Sequence, residues 1–258
     1  MLRAGGVNEI IVLLTLIIPM AYLMDRARKG ASLPKLKAIG AVDALPDSVD
    51  RAVEMGRPVV ASTGGFAALV GQFASAAVAG VRLIRYIAKL CYMKGARFIA
   101  VAGQTPDLVP YIDAVLKEEA LSQGKPESYV RSRDLKFFGG AYGLSLPELI
   151  ETEKAATYVL VGTPYGGDFA SWESANRVGA LFIGGCIRFG VMGPLAMVAD
   201  YLLLMDEVYA AGAMVGGDKE ELATLIASDF TKLYAILLIV VLSILAFLGV
   251  NISGLLAI

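Results

Sequence analysis

Apolar positions along this chain fall into two patterns. Near each end lies one long apolar block, and between the blocks short apolar runs alternate with amphipathic, helix-like stretches. The first block, Val7–Met24, is broken only by Asn8 and Glu9 at its outer edge, and it carries Pro19. The second, Leu233–Ile258, follows Lys232 and contains no charged residue. A bilayer is spanned by about 20 apolar residues, so the pattern predicts a transmembrane helix at each end. Arg26, Arg28, Lys29, Lys35 and Lys37 follow the first block, and Lys232 precedes the second. Basic residues beside a membrane helix stay in the cytoplasm, so both termini are expected outside and the middle of the chain inside. A cleaved signal peptide is the competing reading of the first block, but DRARKG follows it rather than a small-residue cleavage site.

The middle reads as strand, turn, helix, repeated. Asp47–Met55 is a helix with Pro46 at its start, and Pro58–Ser62 a buried strand followed by TGG and a long helix to Met93. Phe98–Gly103 is the second strand, and Pro106 opens a helix to Ser122 with Leu108, Ile112, Val115 and Leu116 on one face. Leu135–Gly139, Thr157–Gly162 and Leu181–Gly185 continue the series as strands, with helices at Pro147–Ala155 and Phe169–Val178 between them. Strands apolar on both faces that alternate with helices imply a mainly parallel sheet covered on both sides. The expected fold class is therefore α/β and Rossmann-like, with right-handed crossovers. The predicted organisation is a membrane helix over 7–24, a basic juxtamembrane linker over 25–44, a cytoplasmic α/β domain over 45–228 and a membrane helix over 233–258.

The stretch Ala180–Met205 is also strongly apolar, but Arg188, Asp200 and the glycines around Pro194 interrupt it. An arginine at mid-membrane costs about 2.5–3.5 kcal/mol on insertion scales. The preferred reading is two buried strands, near Ala180–Ile183 and Tyr201–Met205, joined by a Gly-rich connection. A third membrane helix is the alternative.

Composition sharpens this picture. The chain is 57% hydrophobic and 18% charged, against about 45–50% and about 25% for soluble chains. Its net charge is −1, with no basic stripe interleaved with aromatics, which argues against a nucleic-acid partner. There is no histidine, which excludes serine–histidine triads and histidine–zinc sites. Cys91 and Cys186 lie in apolar surroundings and read as buried thiols rather than a disulfide or metal pair.

In a doubly wound sheet, ligands bind at the carboxyl ends of the strands. Three of those ends carry small polar or glycine residues: Ser62, Thr63, Gly64 and Gly65; Gly103, Gln104 and Thr105; and Gly162, Thr163, Pro164, Tyr165, Gly166 and Gly167. A glycine turn that opens a helix presents bare amides and a positive dipole end to an anion. The same glycines also serve tight strand-to-helix turns. STGG matches neither GxGxxG nor GxxxxGK[ST], and no lysine follows to hold a phosphate. No cofactor, metal site or catalytic set is read from the sequence. Asp200, Asp206 and Glu207 gather near the last strand, where Asp206 and Glu207 read best as acids at a helix start. The small-residue run Ala74–Gly80 allows close helix packing, within the fold or between subunits. Arg82, Arg85 and Lys89 form a stripe that meets either solvent or lipid headgroups.

The stretches LPDSVDRAVEMGRPVV, GKPE (Gly124–Glu127) and MVADYLLLMDEVYAAGAMV (Met197–Val215) resemble a family of uncharacterised bacterial and archaeal membrane proteins catalogued as a domain of unknown function. The resemblance runs from about Leu45 to Leu233. It implies membrane association, in a prokaryotic cytoplasmic membrane, and brings no activity, substrate or site residues.

Two functions stay open at this point. One is a membrane-anchored domain that self-associates as a scaffold, or serves as an accessory subunit of a membrane complex, without catalysis. The other is a regulatory or enzymatic domain that binds a nucleotide or another anionic small molecule at the glycine turns.

Overall fold

The computed structural model describes residues 6–29, 38–217 and 219–248. These form two compact units, one from the two ends of the chain and one spanning Ala38–Gly216.

The larger unit is built on a six-stranded, all-parallel sheet of β1 (Val59–Ser62), β2 (Phe98–Val101), β3 (Leu135–Lys136), β4 (Thr157–Gly162), β5 (Leu181–Cys186) and β6 (Tyr201–Leu204), in the spatial order β3-β2-β1-β4-β5-β6. Val59 of β1 stands level with Phe98 of β2 and Thr157 of β4, and Thr157 with Leu181 of β5. Successive side chains along each strand enter opposite layers. Val59 and Ala61 join the core on one face, and Val60 joins the core on the other. This is why the strands read as unbroken apolar runs rather than alternating ones.

One face is covered by α2 (Gly40–Asp43), α3 (Leu45–Met55), α4 (Ala74–Lys94), α5 (Leu108–Ser122) and α10 (Asp206–Gly216). The other is covered by α7 (Tyr142–Glu153), α8 (Phe169–Arg177) and α9 (Phe189–Val198). The four-residue α6 (Arg131–Asp134) leads into β3. The small-residue run at the start of α4 is used inside the fold: α10 packs along it, and a Cβ at Gly212 would lie 3.1 Å from Ala79.

Three elements depart from the sequence reading in their bounds. The helix expected straight after TGG begins only at Ala74, leaving residues 63–73 as a long irregular segment. β3 has two residues rather than five, as an edge strand. α7 starts at Tyr142, before Pro147, because burial of Tyr142 and Leu146 anchors the earlier turns. The proline forfeits only the one backbone bond its missing N–H would have made.

The segment 180–205 is not a third membrane helix. It is strand, helix, strand, and the expected Gly-rich connection is α9, ten residues with Pro194 inside. Helix propensity is overridden there by packing, since Val191 and Leu195 are buried against the sheet. Gly184 of β5 makes room, because a Cβ on it would lie 2.7 Å from Leu195 Cδ1.

The smaller unit contains α1 (Gly6–Arg28) and α11 (Lys219–Phe247). Arg28 at the end of α1 grips Glu220 at the start of α11 through Nε (3.1 Å) and Nη2 (3.3 Å). Leu23 meets Ala223, Ile226 and Ala227 in a small core, so the two helices run antiparallel. Among the described residues one segment is long and apolar enough to cross a membrane: Leu222–Leu245, 24 residues of mean hydropathy 2.1. That is one such span, at the carboxyl-terminal end, where the pattern predicted one at each end. The amino-terminal run is a helix, α1, of 23 residues, with Asn8 and Glu9 in its first turns and Pro19 inside it. Lys35, Lys37 and residues 249–258 of the two predicted end segments lie outside the described residues.

Candidate functional site

The carboxyl ends of β2, β1 and β4 lie side by side, and chain direction through the sheet reverses between β1 and β4. A doubly wound sheet opens its ligand crevice at this point. The structure brings all nine sequence-predicted residues to this place: Ser62, Thr63, Gly64 and Gly65 from β1, Gly103, Gln104 and Thr105 from β2, and Gly162 and Thr163 from β4.

Residues 63–73 run across these strand ends as a strap. Phe66 N donates to Thr163 O (3.2 Å), Gln104 N to Gly65 O (3.0 Å), and the Thr105 hydroxyl to Ala67 O. Asp107 Oδ2 accepts from Leu69 N at 2.6 Å. The glycines sit where backbones pass closest. A Cβ at Gly103 would lie 2.7 Å from Gly64 O, and one at Gly162 would lie 2.5 Å from Thr63 O.

Asp168, at the start of α8, reaches under the strap. Its Oδ1 accepts from the Tyr142 hydroxyl (2.8 Å), which in turn meets Ser62 Oγ (2.8 Å). Its Oδ2 accepts from Tyr165 N (2.8 Å) and Gly65 N (3.3 Å). Burial pushes the Asp168 carboxyl up to about 6, against the pull of these hydrogen bonds and of the Arg188 charge. The Tyr142 phenol is pushed well up for the same first reason, and the neighbouring carboxylate adds to it. The Tyr165 ring lies against Gly65, stacks on Phe66 with centroids 4.6 Å apart, and takes a hydrogen bond from the Gln104 side chain. Arg188, after β5, lies 4.7 Å from the Phe66 ring centroid and 5.7 Å from that of Phe73, and donates to Pro164 O at 3.3 Å.

The amides of the first glycine turn are thus engaged internally. Gly64 N donates to Ser62 Oγ (3.2 Å), Gly65 N to Asp168, and Phe66 N to Thr163 O. Asp168 holds the place that a bound anion would take at Gly65. The turn also stands well before the start of α4, so no helix dipole reinforces it. Two buried hydroxyls, Thr63 Oγ1 and Thr163 Oγ1, find no hydrogen-bond partner among the described residues.

Sequence reasoning missed Tyr142, Asp168 and Arg188. Asp168 carried a weak signal, an acid directly after a Gly-Gly pair at a helix start; Tyr142 carried none. Of the acids near the last strand, Asp200 lies before β6 and accepts from Phe182 N (2.8 Å), while Glu207 lies after it and accepts from Leu204 N (3.1 Å). Four strand residues, about 13 Å at the usual rise, separate them, so they do not form one site. Arg85 of the basic stripe is tied to Glu118 and Glu119, each at 3.1 Å. Cys91 and Cys186 are free, buried thiols in opposite core layers. Among the described residues no cluster of three His, Cys, Asp or Glu is placed to hold a metal.

A parallel sheet in this strand order, with helices on both faces and its order reversing between β1 and β4, defines a Rossmann-like α/β protein. The chain belongs to the family described as Domain of unknown function (DUF6754), whose model matches residues 1–255. Comparison with curated proteins and with solved structures gives no match.

Proposed function

We propose that this protein is a membrane-anchored α/β domain with a structural role, either self-associating as a scaffold or serving as an accessory subunit of a membrane complex, without catalysis of its own. The observation that carries the reading is the state of the switch point: the protein's own strap crosses it, and Asp168 occupies the amides an anion would use. The anchors are α11, through Leu222–Leu245, and α1, with Leu13, Leu14, Ile17 and Ile18 exposed along it. The antiparallel pairing of these helices and the basic residues Arg26, Arg28 and Lys29 support a prokaryotic cytoplasmic membrane, with both termini outside and the α/β unit in the cytoplasm. The partners are the lipid bilayer and further copies or a larger complex, and nucleic acid is not among them.

The second reading, a nucleotide or other anionic small molecule in the crevice, is favoured by the two partnerless hydroxyls of Thr63 and Thr163. One experiment separates the two: the mass of the complex extracted gently from native membranes, with identification of any small molecule carried along. A homo-oligomer or a recurrent larger partner with nothing bound supports the structural role. A monomer that retains a nucleotide, and gains thermal stability from millimolar nucleotide, replaces it with the second reading. Accessibility of cysteines placed near either terminus, measured from outside the cell, tests the topology.

A further inference from the structure

A strand-to-helix connection in a doubly wound sheet commonly takes about 2–6 residues. The one between β1 and α4 is longer, running over residues 63–73. Within it, residues 65–70 lie between two glycines in the left-handed region, Gly64 at φ 87° and Gly71 at φ 82°. Only glycine turns freely through such angles, and a Cβ at Gly71 would meet nothing within 4 Å. The segment therefore has a pivot at each end.

Little apolar burial holds it down. Ala67 is fully buried, but Phe66 is 39% exposed, Leu69 36% and Val70 75%. Separate contacts from three directions hold it instead. After β4, Asp168 Oδ2 accepts from Gly65 N and Thr163 O from Phe66 N. After β2, Gln104 N donates to Gly65 O, the Thr105 hydroxyl donates to Ala67 O, and Asp107 Oδ2 accepts from Leu69 N. After β5, Arg188 lies over the Phe66 ring.

The closed arrangement also leaves polar groups uncompensated. Among the described residues, five buried side-chain polar atoms lack a hydrogen-bond partner, and three belong to this place: Thr63 Oγ1, Thr163 Oγ1 and Asp107 Oδ1. Each bears a desolvation cost that contact with water removes, which offsets part of what the contacts supply. Few buried apolar groups, exposed side chains and such offsets are the marks of a segment that opens well below the energy of global unfolding. We propose that residues 65–70 are a gate over the β1/β4 switch point, swinging as one piece about Gly64 and Gly71 and latched by Asp168 near one pivot and Asp107 near the other. Opening uncovers the Thr163 carbonyl, the Gln104 amide and the Asp107 and Asp168 carboxylates, which the gate's own backbone engages when shut. The motion goes beyond the structural role above and does not depend on it; use of the gate to admit a small molecule rests on the second reading.

The test is amide hydrogen exchange of the full chain in detergent. The amides of Gly65, Phe66, Ala67 and Leu69 are expected to share one degree of protection, about a hundredfold or more below that of Val60 and Ala61 in the central strand β1. Asp107→Ala removes the acceptor of Leu69 N, and Asp107 makes no capping bond to α5 that would be lost with it. It should speed exchange about tenfold at all four amides, including Gly65, whose own acceptor is untouched. Thr105→Val, which removes the donor to Ala67 O, is the second variant and should act on the same four together. Trp172 fluorescence checks that each variant is folded. Gate amides as protected as those of β1, or variants that speed exchange only beside the lost contact, overturn the inference. Millimolar nucleotide in the same assay addresses the second reading separately. Slower exchange over 65–70 supports a ligand beneath the gate, and unchanged exchange removes that ligand while the gate, measured without it, stands.

Discussion

Replacing Asp168 by asparagine is the sharpest test of how the switch point is held shut. Burial raises this carboxyl from 3.8 to about 6. The folded protein therefore binds the proton more tightly than the unfolded chain does. Stability gained from that proton is complete below the unfolded value and is lost as pH rises through about 6. At 1.36 kcal/mol per unit, the ionised carboxylate costs about 3 kcal/mol at neutral pH compared with the protonated one. Asparagine keeps the shape and removes that cost. Its oxygen accepts from Tyr165 N and Gly65 N, and its amide donates to Tyr142, whose hydroxyl then turns to Ser62. Asp168→Asn is thus expected to be more stable than the wild type at pH 7.5, by up to about 3 kcal/mol, with the gap closing as pH falls to about 4. Asp168→Ala leaves two amides and a hydroxyl bereft and should cost about 2–5 kcal/mol at pH 7.5. Denaturant unfolding of the full chain in detergent reads both effects through Trp172, the single tryptophan and 2% exposed. An asparagine variant less stable than wild type at pH 7.5, or a gap that does not change with pH, would refute the argument.

Other outcomes follow from the same structure. Gly103→Ala drives a methyl to 2.7 Å from Gly64 O and should lower stability by about 1–3 kcal/mol in the same unfolding assay, since a backbone strap cannot yield as a side chain does. Tyr142→Phe removes the donor to Asp168 Oδ1 and should cost about 1–2 kcal/mol. It should also shift the Asp168 titration upward in a stability-against-pH series. Lys154 closes α7 in the left-handed region at φ 50°, so Lys154→Gly should raise stability by about 0.5–1 kcal/mol, seen as a higher melting temperature.

Much of the sheet was legible because buried parallel strands leave an unmistakable trace. TYVLVG is β4 from end to end, and PVVAS and FIAVAG differ from β1 and β2 only at their margins. The failures have physical causes. α9 contains two glycines and a proline, so local propensity spoke for a loop, and only the packing of Leu195 onto Gly184 makes it a helix. The glycine turns were found, but the partner that fills them was not. Asp168 meets Gly65 across a separation of 103 residues, and no local pattern encodes such a contact. For the same reason STGG reads as an anion turn by composition, while in the fold its amides are already taken.

The strand order has a consequence for how the chain is made. β1 is the first strand to leave the ribosome and one of the two central strands of the finished sheet. β2 and then β3 add outward on one side of it, and β4, β5 and β6 add outward on the other. Each new strand therefore meets an edge that already exists, and none has to be inserted between two that are already paired. Synthesis and sheet growth can proceed in the same order, and the sheet's last edge is laid down just before the apolar helix α11 emerges.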